Sequence, residues 1–298
     1  MKNIYLRSDY SVKKISLFIL ISLLPLIAGG FYKNGIKLFN SNLTGMYGAF
    51  KPLIFSLSGL LIGILVNIIY EYLIKKQREG FIDTVFSSFH PIYGLLIASV
   101  ISINTNLLLF VLVTFLLLFA SKFIKTTKIN IPALGALLII LIMSLSSNFT
   151  FLNAYESSRV LNLDTLDYLI GKGSGGINTA YVIFLLFSLI ILANQEFYKK
   201  SIPLFSSIVF ALLITIYSGL NNNIGLVLDH LLTSGILFSF VYLGTEPLSS
   251  AYTKKGKIIF GVLIGLITFG LFLIYPPLSA LGAILIVSLL HDFIDNIS

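Results

Sequence analysis

Ten stretches of this sequence approach the length of a membrane-crossing helix, and that pattern limits the folds open to it more than any motif does. They run at about 15–31, 52–74, 88–103, 107–124, 131–147, 179–194, 202–218, 224–243, 258–274 and 278–293. A helix needs roughly 20 apolar residues, with a range of about 17–25, to cross the hydrocarbon core of a bilayer. Charged residues make up 11% of the 298, against about 25% in a soluble domain. A soluble enzyme, a disordered chain and a nucleic-acid-binding domain are therefore excluded. The first stretch follows Lys13 and Lys14 like a signal peptide, but nine further stretches make a retained helix the expectation.

Lysine and arginine give the orientation, because they concentrate on the cytoplasmic side of membrane helices. With the N-terminus inside, fifteen of the twenty fall on inner segments, and only Lys33, Lys37, Lys51, Arg159 and Lys172 fall outside. The fold expected is all-α: a polytopic membrane protein of about ten transmembrane helices, with both termini cytoplasmic. The net charge of +8 then reflects topology, and no nucleic-acid partner is expected.

The chain also echoes itself near half its length. Ala133-Leu134-Gly135-Ala136 at the fifth span returns as Ala280-Leu281-Gly282-Ala283 at the tenth, and Pro52-Leu53-Ile54-Phe55-Ser56 is echoed by Pro203-Leu204-Phe205-Ser206. Two five-helix halves follow, 1–150 and 151–298, the second beginning with an outer loop at 151–178. Five is odd, so the halves are inverted, and ion or substrate paths in such folds lie between the repeats. Chance similarity between Leu- and Gly-rich helices is the competing explanation.

Ionisable residues inside a span are functional candidates because burying them is costly. Asp229 and His230, in the eighth span, are the ion-path candidates, Asp229 as a Na+ ligand or proton acceptor. A pair at a wet interface explains them equally well. Asp292 and Asp295 end the last helix and are expected to be solvated, and His90-Pro91 reads as the start of a helix. The chain has no Cys and three His, which removes disulfides, thiolate zinc, iron–sulfur clusters and any plausible metal ligand set. Any electron carried here rides on an organic cofactor.

The segment Gly244-Thr245-Glu246-Pro247-Leu248-Ser249-Ser250-Ala251-Tyr252-Thr253-Lys254-Lys255-Gly256-Lys257-Ile258-Ile259-Phe260-Gly261 resembles the ATDPVTSP…T.KG..IFG motif of one membrane-protein family. Its members are RnfD of the Rnf complex (ion-translocating ferredoxin:NAD+ oxidoreductase) and NqrB of the Na+-translocating NADH:quinone reductase. Gly265-Leu266-Ile267-Thr268, Tyr275-Pro276, Gly94-Leu95-Leu96-Ile97-Ala98 and Asn130-Ile131-Pro132-Ala133 resemble further family stretches in the right order. Gly173-Ser174 and Gly176 resemble its GSIGETS, with Ile177 where that motif has Glu.

The resemblance implies a redox-complex subunit, not a complete enzyme, in the cell membrane. It would pass electrons through flavin and couple them to Na+ or H+ movement, with other membrane and peripheral subunits as partners. It implies covalent FMN on a Thr of the outer loop between spans five and six. No SGAT-type motif occurs there, and Thr165 is the nearest counterpart. A second flavin held noncovalently is a further implication. Ser174, Gly176, Thr245, Glu246, Pro247 and Ser250 are the cofactor-binding candidates carried by the motifs. The alternatives from other classes are an inverted-repeat permease for a small solute and a scaffold subunit without flavin. Gly171-Lys172-Gly173-Ser174-Gly175-Gly176 looks like a phosphate loop, but no Gly-Lys-Ser/Thr triplet or preceding strand supports that.

Overall fold

A computed structural model describes residues 11–74, 76, 85, 88–124, 128–145, 149–157, 165–220, 232 and 235–297. All regular structure among them is helical. Helix α1 spans Val12–Phe31 and continues through a π-helical turn, Tyr32–Ile36, to Asn40. Helix α2, Met46–Ile68, likewise continues through a π-helical turn to Ile74. Then come α3 (His90–Val100), α4 (Leu107–Ser121) and α5 (Ile131–Ser144). Two short helices, α6 (Ala154–Ser157) and α7 (Thr165–Leu169), precede α8 (Val182–Ala193) and α9 (Ser201–Leu220). Helix α10, Ile236–Phe238, runs into a π-helical turn, Ser239–Leu243. Helices α11 (Lys254–Phe272), α12 (Ser279–Leu289) and α13 (His291–Ile297) complete the chain.

Local chemistry sets the helix starts. Ser11, Asn106, Asn130 and Thr253 each accept a backbone N–H of the following first turn, which satisfies donors that a helix start leaves open. Pro91 and Pro132 stand in first turns, where a missing N–H costs nothing.

Among the described residues, four helices are long and apolar enough to cross a membrane: Val12–Asn40, Met46–Ile74, Ser201–Leu220 and Lys254–Phe272. A fifth forms if α12 and α13, bent by 58°, act as one span. Four more apolar helices, α3, α4, α5 and α8, have 11 to 15 residues, or about 16–23 Å at 1.5 Å per residue. They are shorter than the stretches read from sequence, and the side chains of Asn106 and Asn130 cap the starts of α4 and α5. All regular structure among the described residues is helical, and its apolar helices are those of a multi-pass membrane protein.

Burial supports this independently. Leu57, Leu61 and Leu65 on α2, Leu108, Leu112 and Leu116 on α4, and Leu204, Ile208, Leu212 and Ile216 on α9 are exposed, while Ser56, Asn67, Thr114 and Ser206 on the same helices are buried. A four-residue spacing places each set on one helix face, and apolar stripes that long on the outside match a hydrocarbon solvent.

Glycines bring the interior helices together. A side chain at Gly59 or Gly63 of α2 would strike the carbonyls of Gly94 or His90 on α3. One at Gly261 or Gly265 of α11 would strike those of Ile202 or Ser206 on α9.

Candidate functional site

Helix α3 is the centre of the arrangement. Each of its eleven residues is buried, and its ~16 Å covers about half of a ~30 Å hydrocarbon core. Two irregular segments meet it. Residues 244–251 lie beside its first turn and residues 173–180 lie at its last. Buried non-helical backbone persists only where the protein satisfies its polar groups, and each segment is satisfied in detail.

In the first segment the Glu246 carboxylate is 3% exposed. One oxygen accepts from the Tyr93 hydroxyl of α3. The other accepts from Ser249 N–H at 2.6 Å, Ser249 Oγ at 2.6 Å and Leu248 N–H at 3.1 Å. Pro247 has no N–H, so the two donors after it converge on the side chain as at a helix start. Thr245 Oγ1 donates to Val241 O at 2.6 Å and Ser250 Oγ to Glu246 O at 2.6 Å. Asn130 ties in the fifth helix: its Oδ1 accepts from Ala133 N–H, and its Nδ2 donates to Leu243 O at 2.8 Å and Ser249 Oγ at 3.0 Å.

Lys199 braces the same segment from the turn between α8 and α9. Its Nζ donates to Ser250 Oγ at 2.7 Å, Ser250 O at 2.8 Å and Pro247 O at 3.2 Å, and stands 3.9 Å from the centre of the Tyr252 ring. Burial drives its pKa from the usual lysine range down to about 7, with Glu246 opposing, Lys257 adding to the fall and Asp295 opposing. A small cavity of about 20 Å³ is lined by Glu246, Thr245, Tyr93, Tyr198, Tyr242 and Ile19. That is room for about one water.

At the other end, Ile177 N–H donates to Ile101 O at 2.9 Å and Asn178 N–H to Ser99 O at 3.0 Å. These bonds occupy carbonyls that the end of α3 leaves open. Asn178 Nδ2 reaches Ser56 Oγ and Ser99 Oγ, each at 3.1 Å. Asn34 Nδ2 donates to Ile177 O at 3.0 Å and Lys33 Nζ to Gly173 O. Lys33 also forms a buried ion pair with Glu156 at 2.8 Å, and Asn153 bridges Glu156 to Asn34. Gly176 lies so close to the Val100 carbonyl that any side chain would collide with it.

The structure thus brings together Thr245, Glu246, Pro247 and Ser250 at one end of α3, and places Gly176 at the other with half-buried Ser174 beside it. The ends are about 9 Å apart, judged from Tyr93 to Ser99 at 1.5 Å per residue. Thr165 opens α7, and its side chain lies outside the described residues. Asp229 and His230 lie outside them too. Among the described residues no cluster of three His, Asp or Glu could hold a metal. Ile177, in the place of the family's Glu, is fully buried and serves packing.

Two expectations are corrected. Asp295 is not merely solvated: it accepts from the backbone of Tyr252 and Thr253 and from Thr253 Oγ1, fixing the start of α11 to α13. His90 does more than begin a helix. Its ring nitrogens contact Ser88 Oγ at 2.7 Å and Ser121 Oγ at 2.8 Å, and Lys122 and Asn67 also meet Ser88.

Sequence reasoning missed Tyr93, Lys199, Lys33, Asn34, Glu156 and Asn178 as site residues. Lys199 and Lys33 entered only through their charge. Tyr93, one residue before the Gly94-Leu95-Leu96 stretch, was the one a motif could have flagged.

The family that matches the chain is described as the NQR2, RnfD, RnfE family, matched over residues 1–298. The NqrB protein of the Na(+)-translocating NADH-quinone reductase from Chromohalobacter salexigens is 36% identical over 69 residues, 22% of this chain and 17% of that protein. The RnfD protein of the ion-translocating oxidoreductase complex from Haemophilus ducreyi is 30% identical over 139 residues, 43% of this chain and 36% of that protein. The NqrB protein from Pseudomonas aeruginosa is 35% identical over 69 residues, covering 22% and 17%. The matched stretches therefore span well under half of each relative.

Proposed function

Because the chain belongs to the NQR2, RnfD, RnfE family, we propose that it is a membrane subunit of an Rnf- or NQR-type electron transport complex and that it couples electron transfer to Na+ or H+ movement. The observation that carries this is the Glu246 carboxylate, held at the interior by Tyr93 from a distant part of the chain. An ionisable group at such depth is a functional candidate by default. In this reading the chain crosses the membrane ten times as inverted five-helix halves, 1–150 and 151–298, with both termini cytoplasmic. Half-helices meeting irregular segments near the midplane are what such repeats use to hold ions; α3 and α10 are buried helices of that kind.

Glu246 then carries the charge that changes on ion or proton passage, while Tyr93 and Ser249 hold its oxygens in place. Lys199 fixes the segment and balances its charge. Asp229 and His230 are proposed to extend the path from the opposite side. Partner subunits of the complex supply the donor and acceptor sites.

FMN is assigned by family likeness to Thr165. When bound, FMN supplies the one-electron chemistry this cysteine-free chain lacks. The short helix that Thr165 opens is exposed, with Leu166 71% and the following Ile170 46% exposed, which suits attachment by a separate transferase. A second flavin does not fit the 20 Å³ cavity beside Glu246, since small-molecule pockets run to about 300–1,000 Å³. No step is assigned to it.

In-gel flavin fluorescence of the chain from its native host tests the assignment. A fluorescent band that disappears in Thr165→Val supports it, and a dark wild-type band removes the electron-carrier role. The buried Ile177 and the missing SGAT motif favour, as the second reading, a permease or a flavin-free scaffold. Solute uptake by proteoliposomes holding this chain alone separates those two.

A further inference from the structure

A long apolar groove runs between α8, α9 and the turn that follows α10; Val241, whose carbonyl accepts the Thr245 hydroxyl, separates it from the Glu246 segment. Its volume is about 420 Å³. Buried Leu185, Pro203 and Val241 form the floor, and exposed Leu186, Leu204 and Ile208 form the rims. One end is different. Lys200 closes it, exposed and immediately before the first turn of α9, which carries no acidic residue. Among the described residues Lys200 has no acidic partner, whereas its neighbour Lys199 is buried on the opposite side against Ser250. The groove is therefore a hydrocarbon slot with one cation at its mouth that has no acidic partner among the described residues.

The dimensions narrow the occupant. From Leu185 to Ala193 the slot extends about 12 Å along α8 at 1.5 Å per residue. Spread over that length, 420 Å³ gives a cross-section of about 35 Å². A flexible hydrocarbon chain is far narrower than a helix, which is about 10–12 Å across, and can follow a slot of this shape along its whole length. A neutral chain would leave Lys200 without a counter-charge. The geometry points to an anionic phospholipid as the resident of this groove, with one acyl chain along Leu185, Leu189 and Val241 and its phosphate at Lys200.

Native mass spectrometry of the full chain, released from nanodiscs of equal phosphatidylglycerol and phosphatidylcholine with matched acyl chains, tests this. The expected result is one retained phosphatidylglycerol, preferred about fivefold, the factor for one basic side chain at an anionic surface. Lys200→Gln should bring the preference to about onefold without changing folding. Ser207→Phe, which fills the groove, should cut retention of both lipids. Should Ser207→Phe misfold, the Lys200→Gln result decides alone. Equal retention of the two lipids by wild type, an unchanged preference in Lys200→Gln, or a neutral isoprenoid quinone held in the lipid's place would each overturn the proposal.

Discussion

Glu156→Gln should be among the most damaging single changes outside the Glu246 segment. Lys33 and Glu156 face each other at 2.8 Å with side chains only 5% and 4% exposed. Removing the negative partner leaves a buried ammonium whose remaining neighbour is the Gly173 carbonyl. Breaking a buried pair in this way costs about 3–5 kcal/mol, while replacing both partners by apolar residues is often nearly neutral. The double variant Lys33→Met/Glu156→Leu still loses the bonds to Gly173 O and from Asn153 N–H, at about 1 kcal/mol each. It should therefore sit within about 2 kcal/mol of wild type, above the single variant. Denaturant unfolding in mixed micelles, followed by ellipticity, measures Glu156→Gln beside the four corners of the cycle, which are wild type, Lys33→Met, Glu156→Leu and the double variant. A Glu156→Gln cost below about 1 kcal/mol, or a double variant as unstable as the two singles added together, would refute the reasoning.

Three further outcomes are expected. Lys199 holds a pKa of about 7 in the folded chain against about 10.4 when unfolded. The unfolded chain binds more protons between those values, so this group's contribution to stability rises with pH from about 7 to 10.5, by at most ~1.4 kcal/mol per unit. The stability difference between wild type and Lys199→Met should rise across that window, and a flat difference counts against it. Tyr93→Phe removes a hydrogen bond to a carboxylate and should cost about 1.5–3 kcal/mol, with ion-coupled turnover of the assembled complex falling together with stability. Gly94→Ala meets the Gly59 backbone and should exceed the ~1–3 kcal/mol typical of overpacking. Gly270→Ala meets open space in α11 and should gain up to about 1 kcal/mol; thermal melts of the two variants compare them directly.

The contrast between these sites marks what could be read in advance. The 244–251 segment was legible because Pro247 among hydroxyl residues is incompatible with a lipid-facing helix. Its partners were not, since Tyr93 and Glu246 lie 153 positions apart and no local pattern joins them. Lys33 and Glu156 were equally hidden, each looking like an ordinary charge at the edge of an apolar run.

The sequence by itself determined that the chain is helical and lives in a bilayer, and which family it belongs to. Apolar length, charge spacing and short motifs are local properties, and the physics of a hydrocarbon solvent acts on them directly. Only the tertiary structure decided that α3 is a fully buried half-helix with an irregular segment at each end. It also decided that Lys199 turns inward while Lys200 faces a lipid-sized groove. Those outcomes depend on which distant donors reach which carbonyls, and on how closely glycines let the helices approach.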